Sequence, residues 1–199
     1  MMQKPNDEVN RVTYASRRVP RARQAECLAA MRGKNIFAVR AGIRVGKTKI
    51  IVDDWGEVAS DYPDLLVVAP GGAYRPWPAA VLDDLDPAVA AGLKMYLWDS
   101  NRARIKVAIR EREDFMAHRG PRVLVVNVEA LSTVTAARDL CAEFLRQHPG
   151  ANQMTIDESV RIKEVDSLCG RACVDDLAPL AARRRLSSRW ILPSIVRLK

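Results

Sequence analysis

Ala41-Gly42-Ile43-Arg44-Val45-Gly46-Lys47-Thr48 is the stretch on which the fold turns. It follows an apolar run, Ile36-Phe37-Ala38-Val39, and opens into Lys49-Ile50-Ile51-Val52. Strand before and helix after is the setting in which a Gly-Lys-Thr loop cradles phosphate. A glycine at 46 lets the backbone approach a phosphate, and successive N–H groups at a helix start form an anion-binding nest. Lys47 is placed to set its ammonium between β- and γ-phosphates, and the Thr48 hydroxyl to ligate Mg²⁺. Alone the tripeptide is a weak signal; its flanks make residues 42–48 a predicted phosphate loop.

Outward from the loop, strand and helix patterns alternate. Short, nearly continuous apolar runs predict strands at 36–40, 65–69, 94–98, 123–127 and 153–157, as in parallel strands buried on both faces. Helical stripes fall between them. Ile51, Trp55, Val58 and Ala59 share a face in 48–60, and Ile105, Ala108, Ile109 and Met116 in 102–118. In 133–147 the stripe is Ala137, Leu140, Cys141, Phe144 and Leu145, with Ser132 as the expected N-cap. Further helices are expected over 21–32, 77–90 and 168–182. The pattern predicts an α/β fold, a three-layer P-loop domain with a mainly parallel sheet, binding ligands at the carboxyl ends of its strands. Residues 1–12 read as a loose segment, 13–182 as the domain, and 183–199 as an atypical basic tail.

With 199 residues, 48% hydrophobic and 28% charged, the chain is long enough for a full core and is not of disordered composition. No apolar run reaches bilayer length and the first residues lack a signal core, so no membrane association and a cytoplasmic location are expected. Cys27, Cys141, Cys169 and Cys173 are scattered, as His118 and His148 are, and read as reduced thiols rather than metal ligands. The net charge of +8 points to a polyanionic partner. Arg102, Arg104, Lys106, Arg110 and Arg112 are interleaved with Glu111, Glu113 and Asp114 and read as a solvated helix face. The unbalanced clusters, Arg17-Arg18-Arg21-Arg23 and Arg183-Arg184-Arg185, are the candidates for tracking phosphates.

Asp157-Glu158 closes the apolar run Met154-Thr155-Ile156. A carboxylate at a strand end can hold Mg²⁺ through water, and a second one beside it can orient and deprotonate an attacking water. The assigned roles are therefore Lys47 and Glu158 catalytic, Gly42, Ile43, Arg44, Val45, Gly46, Lys47 and Thr48 on the phosphates, and Thr48 and Asp157 on the metal. After the end of the second predicted strand, Tyr74 and Trp77 flank Arg75 and could stack on a nucleic-acid strand. Trp77 could equally anchor the following helix against the sheet.

In order, Gln24, Gly-Lys-Thr, Val67-Val68-Ala69-Pro70, Asn127-Val128-Glu129-Ala130-Leu131 and Asp157-Glu158-Ser159 resemble the first RecA-like lobe of superfamily-two helicases. Within that group the order is most similar to the Swi/Snf-type DEAD/DEAH-like ATPases, in their short phage and prophage forms, over about residues 14–180. The resemblance implies an ATP-binding lobe using ATP and Mg²⁺. Gln24 would read adenine, and Pro70, Tyr74, Arg75 and Trp77 would lie beside a nucleic-acid backbone, DNA being the expected partner. Family members often lack the first loop glycine, so Ala41 is within the pattern.

Three features depart from it. Val160 stands where the family has histidine, a residue that couples ATP state to DNA contact. No Ser/Thr-Gly-Thr-Pro follows the acidic pair; Arg183 to Trp190 offers hydroxyls only. The second lobe, which in the family carries the arginine fingers, does not follow in this sequence. A truncated or frame-shifted chain is the resulting expectation, with weak or no turnover alone and a second lobe supplied by another chain. An inactive ATP- or DNA-binding remnant, and a P-loop ATPase or kinase unrelated to nucleic acid, are the alternatives.

Overall fold

A computed structural model describes residues 14–42, 44–157 and 167–188. Ile43, Glu158 and Val160, and the segments 1–12 and 189–199, lie outside those residues.

The chain lays down helix α1 (Ala22–Met31), strand β1 (Ile36–Arg40), α2 (Lys47–Gly56), β2 (Asp64–Ala69), α3 (Trp77–Asp84), α4 (Pro87–Ala90) and β3 (Lys94–Leu97). It continues through α5 (Lys106–Met116), β4 (Arg122–Asn127), α6 (Val128–Thr133), α7 (Thr135–Gln147), β5 (Asn152–Ile156), α8 (Leu168–Arg171) and β6 (Arg183–Ser188). The six strands form one parallel sheet in the order β1-β6-β5-β2-β4-β3. Helices cover both faces, as parallel crossovers require. This is the expected α/β architecture.

Strands β2 and β4 are the most apolar runs, and with β5 they are the buried middle of the sheet. One face packs Leu66, Val68, Leu124 and Val126 against Phe115, Leu131, Leu140, Phe144 and Leu145. The other packs Leu65, Val67, Val123 and Val125 against Ile51, Trp55, Trp77, Val81 and Leu85. Phe115 lies 5.6 Å, centroid to centroid, from both Tyr96 and Phe144, and burying such a ring is worth about 1.5–3 kcal/mol.

Several expectations need correcting. Arg183–Ser188 is not a tail: it is inner strand β6, between β1 and β5, so the domain runs past residue 182. Ser132 does not cap α7; it belongs to α6 and donates to the Glu129 carbonyl at 2.8 Å, while Val134 precedes α7. The helix expected over 77–90 breaks after Asp84, where Pro87 can only begin a new helix, and Asp86 caps it by accepting from Ala88 N at 2.7 Å. On α5 the anchor is Phe115, and Ile105 is exposed. The helix over 168–182 is four α-residues followed by a π turn, Ala172–Leu177, and a 3₁₀ turn, Ala178–Leu180.

At the amino ends of the strands, Asp64 and Arg122 lie in register and form a buried two-pronged ion pair at 2.8 and 2.7 Å. His148 Nδ1 lies 2.8 Å from Asp64 Oδ2. This network fastens the pole of the sheet opposite the β1–α2 loop.

Candidate nucleotide-binding site

The loop from β1 to α2 sits at the carboxyl end of the sheet, as its sequence requires. Gly46 is the residue before α2 and has φ +79°, a left-handed conformation that favours glycine. A Cβ there would run into the Gln24 amide. Arg44 is also left-handed, at φ +59°. Gly46, at the N-cap of α2, brings no side chain to cap it, and no acidic residue stands in the helix's first turn. The first N–H groups and the positive end of the helix dipole are thus available to an anion.

Lys47 curls over the loop and donates to the Gly42 carbonyl at 2.9 Å and to Ala41 at 3.4 Å. Thr48 follows it, half-buried, in the first turn of α2. Gln24 is brought to the loop by α1. Its Oε1 accepts from Arg21 N at 2.9 Å, which caps α1, and its Nε2 donates to Val45 O at 3.0 Å. The glutamine is therefore a brace between α1 and the loop. Beside it a hollow of about 330 Å³ is lined by Arg18, Val19, Arg21, Gln24, Arg44 and Lys49. Across Val45 an apolar hollow of about 410 Å³ is lined by Cys27, Phe37, Val39, Ala41 and Ile50.

The segment before α1 is strapped to this region through three carboxylates. Tyr14 Oη donates to Asp53 at 3.0 Å, Ala15 N to Asp86 at 2.7 Å, and Arg18 pairs with Asp84 at 2.7 and 2.8 Å. Burial, with Asp53 alongside, pushes the Tyr14 hydroxyl well above its usual range. Lys49 bridges the set, 2.8 Å from Asp53 and 3.5 Å from Asp84.

Asp157 stands just past β5, its backbone N–H on the Val68 carbonyl at 2.8 Å. Its Oδ2 accepts from Trp77 Nε1 at 3.2 Å and its Oδ1 from Ser187 Oγ at 2.5 Å. Gln153 and Thr155 alternate with Met154 and Ile156, so Asp157 ends a polar face of β5 backed by an apolar one. Ser187 is the site residue that sequence reading passed over. Its signal was a hydroxyl thirty residues after Asp157, obscured by the lack of Gly-Thr-Pro. Glu158 lies outside the described residues.

The candidate nucleic-acid residues do not form one exposed surface. Pro70, Tyr74 and Trp77 are buried, so neither ring is open to stack on a base; Trp77 anchors α3, the plainer of its two readings. Arg75 alone is exposed, with its guanidinium over the Tyr74 ring at 5.4 Å and 3.8 Å from Asp99. Glu129 accepts from Gly71 N at 3.0 Å, joining the 127–131 and 70–77 segments. The Arg183-Arg184-Arg185 cluster is likewise no phosphate track. Arg183 and Arg185 point inward to Asp54 on α2, at 3.1 and 2.8 Å, because alternate residues of an inner strand face the same helix layer. Arg102 pairs with Glu111 at the surface, as a solvated face should.

The four cysteines are free thiols. Among the described residues no helix is long and apolar enough to cross a membrane.

By sequence the chain matches no family model and no curated protein. By structure it is similar to the Sulfolobus solfataricus SWI2/SNF2 ATPase core solved in complex with dsDNA, with a TM-score of 0.63 and 17% identity. The match covers 90% of this chain and 34% of that one, so the chain spans about a third of the neighbour's length. The likeness is one of fold: a parallel sheet with helices on both faces.

Proposed function

We propose that this chain is the ATP-binding lobe of a helicase-like, DNA-dependent ATPase. The observation that supports the reading is that a glycine-pivoted loop after β1 and a strand-end carboxylate, Asp157 after β5, lie at the same carboxyl edge of a parallel sheet. The donors present fit Mg-ATP. The uncapped α2 N-terminus and Lys47 supply N–H groups and a cation for phosphate, while the Thr48 hydroxyl and Asp157 supply hard oxygen ligands. Lys47 would exchange the loop carbonyls for phosphate oxygens. Gln24, held beside Val45, would face adenine, and Asp157 would keep an acceptor toward the metal. Mg²⁺, when bound, would neutralise charge on the β- and γ-phosphates. Glu158 would orient the attacking water and take its proton.

The described fold is one lobe. An arginine finger is worth about 10³–10⁵ in turnover where it has been measured, so fast hydrolysis calls on a second lobe, in a longer protein or on another chain. Arg75 and the net charge of +8 support a nucleic-acid partner at the same edge.

Binding of mant-ATP and ATP turnover, each with and without duplex DNA, test the reading. Lys47→Ala is expected to weaken mant-ATP binding by about tenfold or more, about 1.4 kcal/mol; unchanged affinity would sink the phosphate-loop assignment. DNA-stimulated turnover supports the helicase-like reading. DNA-independent turnover favours a kinase-like ATPase, and binding without turnover a remnant.

A further inference from the structure

Trp77 is the first residue of α3, two positions after exposed Arg75, yet its side chain is 2% exposed. A buried indole needs an acceptor for its N–H. Trp55 uses the Tyr62 carbonyl and Trp98 the Ser100 hydroxyl. Trp77 uses a carboxylate, Asp157, at the strand end that faces the phosphate loop. The plane of an aspartate carboxylate is poorly fixed by its own torsion, whose energy wells are broad and two-fold. Donors on its oxygens fix it instead. Here Ser187 on β6 holds Oδ1, and Trp77 on α3 holds Oδ2.

The loop that carries Trp77 has little slack. Tyr74 N donates to Pro70 O at 3.0 Å, Trp77 N to Tyr74 O at 3.2 Å, and Gly71 N to Glu129 at 3.0 Å. Displacing the backbone at Arg75 therefore displaces the indole, and reorienting the carboxylate loads the loop. We infer that Trp77 is a positioning residue whose indole N–H sets the Asp157 carboxylate toward the metal and ties the Arg75 loop to nucleotide state. The inference rests on the proposed reading of Asp157 as the metal-holding carboxylate. By linkage the effect is reciprocal: whatever binds at Arg75 alters metal affinity by the factor with which the metal alters its own binding.

The test is the indole N–H spectrum of ¹⁵N-tryptophan-labelled protein, with mant-ADP binding measured in parallel. Trp77→Phe assigns the resonance; if that variant does not fold, Trp55→Phe, Trp98→Phe and Trp190→Phe assign it by elimination. The Trp77 signal is expected to move in Asp157→Asn without nucleotide. In the parent protein it should move with Mg-ADP but not with ADP in EDTA. Trp77→Phe should keep its Mg-free mant-ADP affinity and need about tenfold more Mg²⁺ for half-saturation, the usual size of an outer-shell effect. A purely packing role would not separate those two affinities. An indole signal indifferent to Mg-ADP while mant-ADP binds would overturn the inference and leave the ATP reading standing, as would an unchanged Mg²⁺ requirement. If mant-ADP does not bind the parent protein, the ATP reading fails and takes this inference with it.

Discussion

Asp54, midway along α2, meets two guanidinium groups, Arg183 at 3.1 Å and Arg185 at 2.8 Å, in a space almost closed to water. Burial pulls the Arg183 pKa down from its usual value, and Asp54 opposes that shift. Asp54→Ala would leave two buried cations without their counter-charge, and breaking such pairs costs about 3–5 kcal/mol. Urea unfolding should show that loss, whereas Arg184→Ala, on the other face of the strand, should cost less than about 1 kcal/mol. Equal effects would mean that Arg183 and Arg185 are not held as described. At this scale the turn from β1 into α2 was legible because its signal is local: Gly46, Lys47 and Thr48 adjoin in sequence, and Gly46 takes the left-handed backbone that suits a glycine. Gln24 was singled out only through the resemblance, whereas Asp157 was singled out by its place at the end of an apolar run, where the structure puts it. The arginines were not legible, since their carboxylate partner lies 129 and 131 residues away and a run of charge reads as surface. Tyr74 and Trp77 mislead for a related reason: an aromatic beside an arginine looks like a stacking platform until its burial is known.

Among the elements, β2 and β4 announced themselves, since a strand covered on both faces is apolar along most of its length, while β5, with Asn152, Gln153 and Thr155, showed less of that run. β6 does the same job with Arg183-Arg184-Arg185-Leu186-Ser187-Ser188, and no periodicity rule selects that run. Its arginines are tolerated because α2 offers Asp54, a tertiary fact. The breaks at Pro87 and after Arg171 show the other common failure, a helical pattern that continues while the backbone does not. Two elements carry buried thiols that give the fold an alkaline limit. Cys141 on α7 is pushed above the thiol range by burial, and Cys173 in the π turn is pushed up from 9.0 to about 12 by burial, Cys169 and Asp176. A thiol with a raised native pKa binds its proton more tightly folded than unfolded. Its contribution is therefore complete below about pH 9 and is lost as pH rises from there toward about 12. Urea stability compared at pH 8 and pH 10.5 should fall for the parent and fall less for Cys141→Ala/Cys173→Ala. An identical fall would assign the alkaline limit elsewhere, Tyr14 being the next group to test.

For the molecule as a whole, the sheet predicts a gradient of opening. β5, β2 and β4 have neighbours on both sides and fully buried cores, while β1 and β3 end the sheet among the described residues and are partly exposed. Hydrogen exchange should be slowest in Leu65–Val68, Val123–Val126 and Gln153–Ile156, at rates set by global unfolding. It should be faster in β1 and β3, through local fraying. Uniform protection across all six strands would contradict that gradient. The strand order also carries a consequence for synthesis on the ribosome. Among the described strands β6 is the last to emerge, and it is the one that sits between β1 and β5; Asn35 and Arg185, bonded at 3.3 Å, are 150 residues apart. Until β6 arrives, β1 has no strand partner among the described residues and Asp54 lacks Arg183 and Arg185. The nascent chain can assemble β2, β4 and β5 around their own helices, but the strand that leads into the β1–α2 loop joins the sheet through the final stitch. A stalled or clipped product lacking those six residues would keep much of the core and lose the support of its loop.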